Sequence, residues 1–231
     1  MNSFEDFIKN HESIQARVAL ACEKAGRDRS MVTVMPVTKT HPADAIEYAV
    51  KAGYRSVGEN RVQEAIDKMP QSVPCDWELI GHLQSNKAKD AVKHFCRIQS
   101  VDSEKLIRRL NAAAEQQSKT MRILLQINAG EDPAKFGATC EAADPLVELA
   151  LNLTNIRLEG LMTIAPLSDD PTIARRCFER LRTTRDRLQE RFQTALPELS
   201  MGMSGDLESA IVEGSTVVRL GSAFYGERAL F

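Results

Sequence analysis

The hydrophobic and polar positions of this chain follow two periods, and the change from one period to the other recurs along the sequence. Apolar side chains at every third or fourth position of residues 3–26 predict an amphipathic helix, with Ser3 and Asp6 as a capping box. A β-branched run at 31–38 then predicts a strand, and helical spacing follows it. The same order predicts further strands at 56–58, 77–80, 97–100, 121–127, 156–161, from 199 onward, and 216–220. Asp144 followed by Pro145 predicts a cap and the start of the helix that runs from Leu146 to Leu153.

Eight strands alternating with helices predict a parallel sheet, because parallel neighbours are joined by helical crossovers. Eight strands also close into a barrel whose interior is filled by side chains. No linker-like segment divides the chain, so we expect one (β/α)8 barrel domain over 1–231, with the N-terminal helix 1–26 packed on the barrel. The alternative is a doubly wound open sheet, whose nucleotide-binding form needs a glycine-rich turn where this chain has Val37-Thr38-Lys39-Thr40.

Composition and charge argue against several classes of binding partner and of protein. The 231 residues are 43% hydrophobic and 27% charged, as in an ordinary globular protein. The net charge of -2 does not favour binding to nucleic acid or to an anionic membrane. No apolar run approaches the roughly 18 residues of a membrane span, and the N-terminus does not resemble a signal peptide, so we expect a cytoplasmic protein. The cysteines and histidines show no disulfide or metal-ligand spacing, and we expect no metal.

The residues that follow the strands are the candidates for function, because the C-terminal strand ends form the ligand face of a parallel barrel. Lys39 follows the first strand, and a desolvated lysine amine can form a Schiff base with an aldehyde. Glycine-rich segments at 201–205 and 221–222 follow the seventh and eighth strands, where barrels often bind phosphate. Together these features predict pyridoxal phosphate, or a sugar phosphate in a Schiff-base aldolase.

Six short motifs, in order from the first strand to the last, resemble the signatures of the pyridoxal phosphate homeostasis protein family. They occupy Val37–Thr40, Gly58–Glu64, Trp77–Lys87, Gly160–Ile164, Leu199–Asp206 and Val218–Gly221. The barrel of that family resembles the N-terminal domain of alanine racemase. The resemblance implies a cytosolic protein that binds pyridoxal 5′-phosphate (PLP) without an established catalytic activity, and that buffers the cofactor or delivers it to PLP-dependent apo-enzymes.

The resemblance also implies roles for particular residues. Lys39 would hold the cofactor as an internal aldimine, and Asn60 would lie beside the ring. Arg219 would meet the pyridine nitrogen. The phosphate would be bound by Ser200, Gly221 and Ser222.

Arg219 itself gives a reason to expect weak chemistry. A guanidinium has no acceptor, so it can only donate to the pyridine nitrogen, which then stays unprotonated and leaves the ring a poorer electron sink. A racemase also needs a second base, which alanine racemase takes from an additional C-terminal domain. Tyr225 lies in the short segment after the eighth strand, where we expect it to pack the last helix against the barrel. An amino-acid racemase and a Schiff-base aldolase remain the alternatives.

Three further expectations concern partners and unassigned residues. The site is completed by one barrel, so we expect a monomer. The arginine-rich segment 175–192 has an apolar stripe with Phe178 and Leu188, which predicts an outer barrel helix with a solvated face, the alternative being a docking surface for apo-enzymes. Lys135 lies beside Phe136 in a segment that departs from the family pattern, and it receives no role.

Overall fold

The computed structural model describes residues 2–226, and parallel strands surrounded by helices make up its architecture. The strands are β1 (Thr33–Pro36), β2 (Ser56–Glu59), β3 (Asp76–Leu79), β4 (Arg97–Val101), β5 (Met121–Gln126), β6 (Ile156–Met162), β7 (Glu198–Ser200) and β8 (Val217–Leu220). The α-helices are α1 (Phe4–Lys24), α2 (Asp44–Lys51), α3 (Val62–Lys68), α4 (Ala88–His94), α5 (Glu104–Gln116), α6 (Ala143–Leu151), α7 (Pro171–Phe192), α8 (Leu207–Val212) and α9 (Ser222–Tyr225). Short 3-10 helices cover Arg29–Met31, Met69–Gln71 and Ser85–Lys87.

The eight strands form one parallel sheet that closes on itself. Neighbouring strands follow the order β1-β8-β7-β6-β5-β4-β3-β2. Just beyond β1 and β2, a parallel bridge joins Val37 to Gly58, and the Thr38 N–H donates to the Gly58 carbonyl oxygen at 3.1 Å. The predicted (β/α)8 barrel is therefore confirmed, and the open doubly wound sheet is excluded.

Side-chain alternation along β1 explains how the first strand can present a lysine to the barrel mouth. Met35 and Val37 belong to a small buried cluster with Ile80, whereas Val34 belongs to the main hydrophobic core. Successive side chains of a strand point to opposite faces, so every second residue from Met35 shares one direction. Lys39 continues that alternation just after the strand ends.

The N-terminal helix α1 packs on the last elements of the barrel. Its Phe7 stacks on Phe224 of α9 with ring centroids 5.1 Å apart, and both rings are fully buried. The predicted capping box is confirmed, since the Ser3 hydroxyl accepts from the Asp6 N–H and the Asp6 carboxylate accepts from the Ser3 N–H. Tyr225 is buried as expected and donates its hydroxyl hydrogen to the Ala45 carbonyl oxygen at 3.0 Å.

The start of α6 differs from its sequence prediction. Asp144 and Pro145 suggest a cap followed by the first helical residue, but the helix begins at Ala143 and Asp144 lies in its first turn. The Asp144 carboxylate instead pairs with Arg187 and Arg191 of α7, at 2.6 and 2.8 Å. The hydrogen bond from Arg187 is the main reason that the pKa of Asp144 is lowered. The Asp144 carboxylate is therefore bound by α7, and α6 begins without a side-chain hydrogen bond at its N-cap.

The arginine-rich segment forms α7, and its apolar stripe is buried as predicted. Several of its arginines pair with carboxylates of adjoining segments: Arg175 and Arg182 with Glu213, Arg180 with Glu131 and Glu141, and Arg187 and Arg191 with Asp144. These pairs attach α7 to its neighbours on the outside of the barrel. Within residues 2–226, none of the helices combines the length and the apolar character that a membrane span requires.

Candidate functional site

The C-terminal ends of the strands surround a cavity of about 450 Å³, a volume typical of small-molecule sites. The cavity lies on the predicted ligand face, because its walls come from segments at or just after the strand ends. Most of the site residues proposed from the sequence line it: Lys39, Asn60, Arg219, Gly221 and Ser222. Residues far apart in the chain are thus brought to one place.

Ser200 is the exception among the proposed site residues. It is fully buried behind Arg219 and is not among the residues that line the cavity. Its hydroxyl donates to the Gln99 side-chain oxygen at 2.6 Å and accepts from Arg219 at 2.7 Å. This placement does not favour Ser200 as a phosphate ligand. Ser204 lines the cavity instead, with its Oγ 3.2 Å from the Oγ of Ser222.

The segment that carries Lys39 is attached to α3 through Lys68. The Lys68 Nζ donates to the Thr38 carbonyl oxygen at 2.9 Å and to the Glu59 carboxylate at 2.8 Å. The Thr38 hydroxyl donates to the same carboxylate oxygen at 2.7 Å. The backbone next to Lys39 is therefore held by a buried ion pair and two hydrogen bonds.

Glu59 is fully buried, and burial raises the pKa of its carboxyl group, while the bonds from Lys68 and Thr38 act in the opposite direction. Its Oε2 is the buried side-chain oxygen without a hydrogen-bond partner in the part of the chain that the structure describes. An ionised carboxylate at this position depends on Lys68, because burying an unpaired charge is costly. Lys68 therefore supports both the Lys39 segment and the charge beneath it.

Arg219 presents a buried cation to the cavity. Only 4% of the residue is exposed, and its two terminal nitrogens donate to the Ser200 hydroxyl and to the Thr163 carbonyl oxygen, at 2.7 and 2.8 Å. Burial lowers the pKa of Arg219 to about 10, and attraction to Asp206 opposes that change. The guanidinium remains protonated at neutral pH. It can therefore donate hydrogen bonds to a ligand and cannot accept them.

A glycine fixes the position of Asn60. A Cβ atom at Gly81 would lie 2.2 Å from the Asn60 carbonyl oxygen, so no side chain fits there without moving the Asn60 backbone. Gly81 also lines the cavity, although it is not among the site residues predicted from the sequence. The available signal was its position directly after a strand, within the motif shared with the family.

The rim of the cavity contains an aromatic pair that sequence reasoning did not assign. Phe136 stacks on His82 with ring centroids 3.9 Å apart and an angle of 12° between the rings. The Gln126 side chain donates to the Phe136 carbonyl oxygen at 3.0 Å, which ties the loop after β5 to the barrel. Both rings and Lys135 line the cavity, so the segment without a predicted role forms part of the site.

The lining suits an organic anion better than a metal ion. It combines the cationic groups Lys39, Lys135 and Arg219 with hydroxyl and amide groups, and no carboxylate belongs to the lining among residues 2–226. The same described residues contain no cluster of three His, Cys, Asp or Glu side chains that could hold a metal ion. An amine, a guanidinium and a pair of hydroxyls fit the aldehyde, the ring nitrogen and the phosphate of PLP, respectively.

The fold and the cavity define a barrel of the alanine racemase N-terminal domain type, and the sequence matches that family over residues 10–229. The chain belongs to the pyridoxal phosphate homeostasis protein family within this class. It is 38% identical over 230 residues to the pyridoxal phosphate homeostasis protein of Aquifex aeolicus, and the match covers 99% of both chains.

Solved structures agree with this assignment. PipY of Synechococcus elongatus, in its form with PLP bound, is 38% identical to this chain with a TM-score of 0.79, covering 92% of this chain and 100% of PipY. Alanine racemase of Clostridium difficile is 16% identical with a TM-score of 0.77, covering 98% of this chain but 58% of the racemase. The racemase shares the barrel fold, and much of its own chain lies outside the match.

Proposed function

We propose that this protein binds PLP in the cavity at the C-terminal face of its barrel and serves PLP homeostasis by holding and delivering the cofactor. The observation that carries the proposal is that one cavity joins Lys39, Arg219 and the glycine- and serine-containing loops after β7 and β8. The names of the relatives and the PLP bound to PipY support it. PLP-dependent apo-enzymes are the proposed recipients.

Each proposed contact follows from the chemistry of a lining residue. The Lys39 amine attacks the aldehyde carbon, and loss of one water leaves a Schiff base between nitrogen and carbon. Arg219 donates to the pyridine nitrogen, and Asn60 lies beside the ring. Gly221 and Ser222 bind the phosphate together with Ser204, which we propose in place of Ser200 because Ser204 lines the cavity.

The covalent link can be tested by reduction with borohydride followed by peptide mapping. The wild-type protein mixed with PLP should show the visible absorbance of an imine and should be labelled at Lys39. Lys39→Ala should lose both signals, whereas Lys135→Ala, which removes the other lysine of the lining, should keep them. A stable adduct at Lys135 in the wild-type protein would contradict the assignment.

We infer that the protein binds PLP without turning over amino acids. Arg219 keeps the ring nitrogen unprotonated, and a proton on that nitrogen is what makes the ring a strong electron sink. Tyr225 is buried outside the cavity lining, with its hydroxyl bonded to Ala45, and burial raises its pKa, so it does not supply a second base. Sustained α-hydrogen exchange of amino acids in heavy water, catalysed by the loaded protein, would instead support a racemase.

We also propose that residues 1–231 act as one domain and as a monomer, because one barrel supplies candidate groups for the aldehyde, the ring and the phosphate of PLP. The five cysteines are free thiols, which suits a reducing compartment such as the cytosol. Light scattering at sub-micromolar concentration should give the mass of one chain. A dimer that persists under those conditions would contradict the monomer.

A further inference from the structure

A chain of buried hydrogen bonds runs from the cavity into the barrel interior. Arg219 donates to Ser200 at 2.7 Å, Ser200 donates to Gln99 at 2.6 Å, and Gln99 donates to Glu78 at 2.7 Å. Glu78 also accepts from Arg97 at 2.6 Å. Each of these five residues is at most 5% exposed, so water does not compete for the bonds.

The charged groups at the inner end fix the direction of every bond in this chain. An ionised Glu78 beside Arg97 can only accept, so the amide nitrogen of Gln99 must face it. The Gln99 oxygen then faces Ser200 and takes its single hydroxyl hydrogen. The lone pairs of Ser200 are left for Arg219, which can only donate. Gln99 therefore links the two ends of the hydrogen-bond chain. Its nitrogen donates to Glu78 and its oxygen takes the Ser200 hydrogen, so the Ser200 oxygen can accept from Arg219.

Arg219 needs such an acceptor because its side-chain hydrogen bonds go to neutral groups. The Ser200 hydroxyl binds one terminal nitrogen and the Thr163 carbonyl oxygen binds the other. Hydrogen bonds in series polarise one another in a low-dielectric interior. The negative charge of Glu78 therefore strengthens the dipoles of Gln99 and Ser200, and these dipoles stabilise the guanidinium. The orientation and the charge balance of Arg219 therefore depend on residues that do not line the cavity.

We propose that Gln99 is a positioning residue that acts through Ser200 and fixes the orientation of Arg219 at the end of the site that binds the PLP ring. This inference rests on the proposed function, because it takes the pyridine ring as the group that Arg219 meets. It also gives Ser200 a role different from phosphate binding. Substitutions along the chain should alter recognition of the ring and leave recognition of the phosphate unchanged.

The test compares PLP with pyridoxal, which has the same ring and aldehyde but no phosphate. Ser200→Ala and Gln99→Met should weaken both ligands by the same factor, about tenfold, because each removes a bond that supports a charged group. Ser204→Ala should weaken PLP alone. Ser200→Ala and Gln99→Met should also shift the imine absorbance band, since the environment of the ring nitrogen changes.

Gln15→Met is the matched control for Gln99→Met. Gln15 also bridges two side chains, accepting from Arg29 at 2.6 Å and donating to Tyr54 at 3.0 Å, but it does not line the cavity. Its replacement should leave the affinity for both ligands unchanged. If Gln99→Met does not fold, Ser200→Ala alone still separates ring from phosphate.

The proposal is overturned if Ser200→Ala weakens PLP and leaves pyridoxal unchanged, because Ser200 would then be a phosphate ligand. Wild-type affinity for both ligands in Ser200→Ala and Gln99→Met overturns it as well. If the wild-type protein forms no imine with either ligand, the proposed function fails. The hydrogen-bond chain is then tested by unfolding in the absence of ligand. The effects of Gln99→Met and Arg219→Met on the free energy of unfolding should be non-additive, and additive effects would overturn the proposal.

Discussion

Two walls of the cavity are stabilised by different kinds of buried contact. The lysine wall, residues 38–40 with Glu59 and Lys68, is attached through its backbone, since Lys68 binds the Thr38 carbonyl oxygen and the Glu59 carboxylate. The arginine wall, Arg219 with Ser200 and Gln99, is held through the side chain itself.

The difference matches what each group must do. A lysine that forms a Schiff base has to lose a proton and move toward its target, so it is best placed by fixing its backbone. An arginine that only donates can be locked at its guanidinium, because its protonation state does not change during binding. The lysine wall therefore depends on an ion pair, and the arginine wall depends on the direction of neutral hydrogen bonds.

The largest effect on stability should come from breaking the ion pair of the lysine wall. Lys68→Met leaves Glu59 as a buried carboxylate without its cation, and losing one partner of a buried pair typically costs about 3–5 kcal/mol. We expect the free energy of unfolding in urea to fall by about that amount. The yield of the Lys39 adduct should fall with it, because the Thr38 carbonyl oxygen also loses its donor.

Lys51→Met provides the control for that substitution. Lys51 pairs with Glu47 at 2.7 Å, but both side chains are largely exposed, and such pairs contribute about 0–1 kcal/mol. The double variant Lys68→Met with Glu59→Gln should recover part of the lost stability, because the stranded charge is then removed. Equal losses in Lys68→Met and Lys51→Met would show that the buried pair does not support this wall.

Arg219→Met should affect the arginine wall in the opposite sense, with a small loss of stability and a large loss of binding. It removes a buried cation whose hydrogen bonds go to neutral groups, so we expect a loss of about 1–2 kcal/mol in the free energy of unfolding. Affinity for PLP should fall about ten- to a hundred-fold, since the donor to the ring is gone. Equilibrium titration and urea unfolding of the same sample measure both quantities. Wild-type affinity in Arg219→Met would mean that this wall does not contact the ring.

The barrel and the lysine could be predicted because both follow from local periodicity. Two periods of hydrophobic residues mark the strands and helices, and the alternation along β1 extends to Lys39. The depth of Ser200 could not be predicted in this way. A strand end in the sequence does not show how far the strand rises in a tilted barrel, and Ser200 lies behind Arg219.

Contacts between distant segments explain the other differences. Lys68 contacts Thr38 from 30 positions away, and the absence of a side chain at Gly81 leaves room for the Asn60 backbone on the neighbouring segment. No spacing rule encodes such pairs. The start of α6 was misplaced for the same reason, because the ion pairs of Asp144 with α7 come from tertiary packing.

The pH dependence of stability should differ between the walls because Glu59 titrates and the neutral groups of the arginine wall do not. The pKa of Glu59 is raised in the folded state, so the folded protein binds more protons than the unfolded chain in that window. Stability that this group contributes at low pH is lost as pH rises from its ordinary pKa of 4.5 through the raised value. The slope is at most about 1.4 kcal/mol for each pH unit.

Urea unfolding at a series of pH values measures this contribution as the difference between the wild-type protein and Glu59→Gln. Glu59→Gln should lose the decrease in stability that wild-type Glu59 causes above pH 4.5. The opposite trend from Asp144, whose pKa is lowered and which has no contact with Glu59, should remain in both proteins. Parallel pH profiles for the two proteins would show that Glu59 does not titrate in this window.

The smallest effect should come from the rim, which belongs to neither wall. Phe136 is 57% exposed and stacks on His82, so its ring contributes about 0.5–1 kcal/mol there. Phe136→Ala should speed the release of PLP about two- to fivefold, because the stacked rings form part of the cavity lining. The preference for PLP over pyridoxal should not change, since Ser204, Ser222 and Arg219 are untouched.

Leu167→Ala, at a side chain that is 97% exposed, is the control for Phe136→Ala and should release PLP at the wild-type rate. If Phe136→Ala speeds the release of PLP more than about tenfold, the rim contributes as much to binding as the two walls do. The comparison of the lysine wall with the arginine wall would then not describe the whole site.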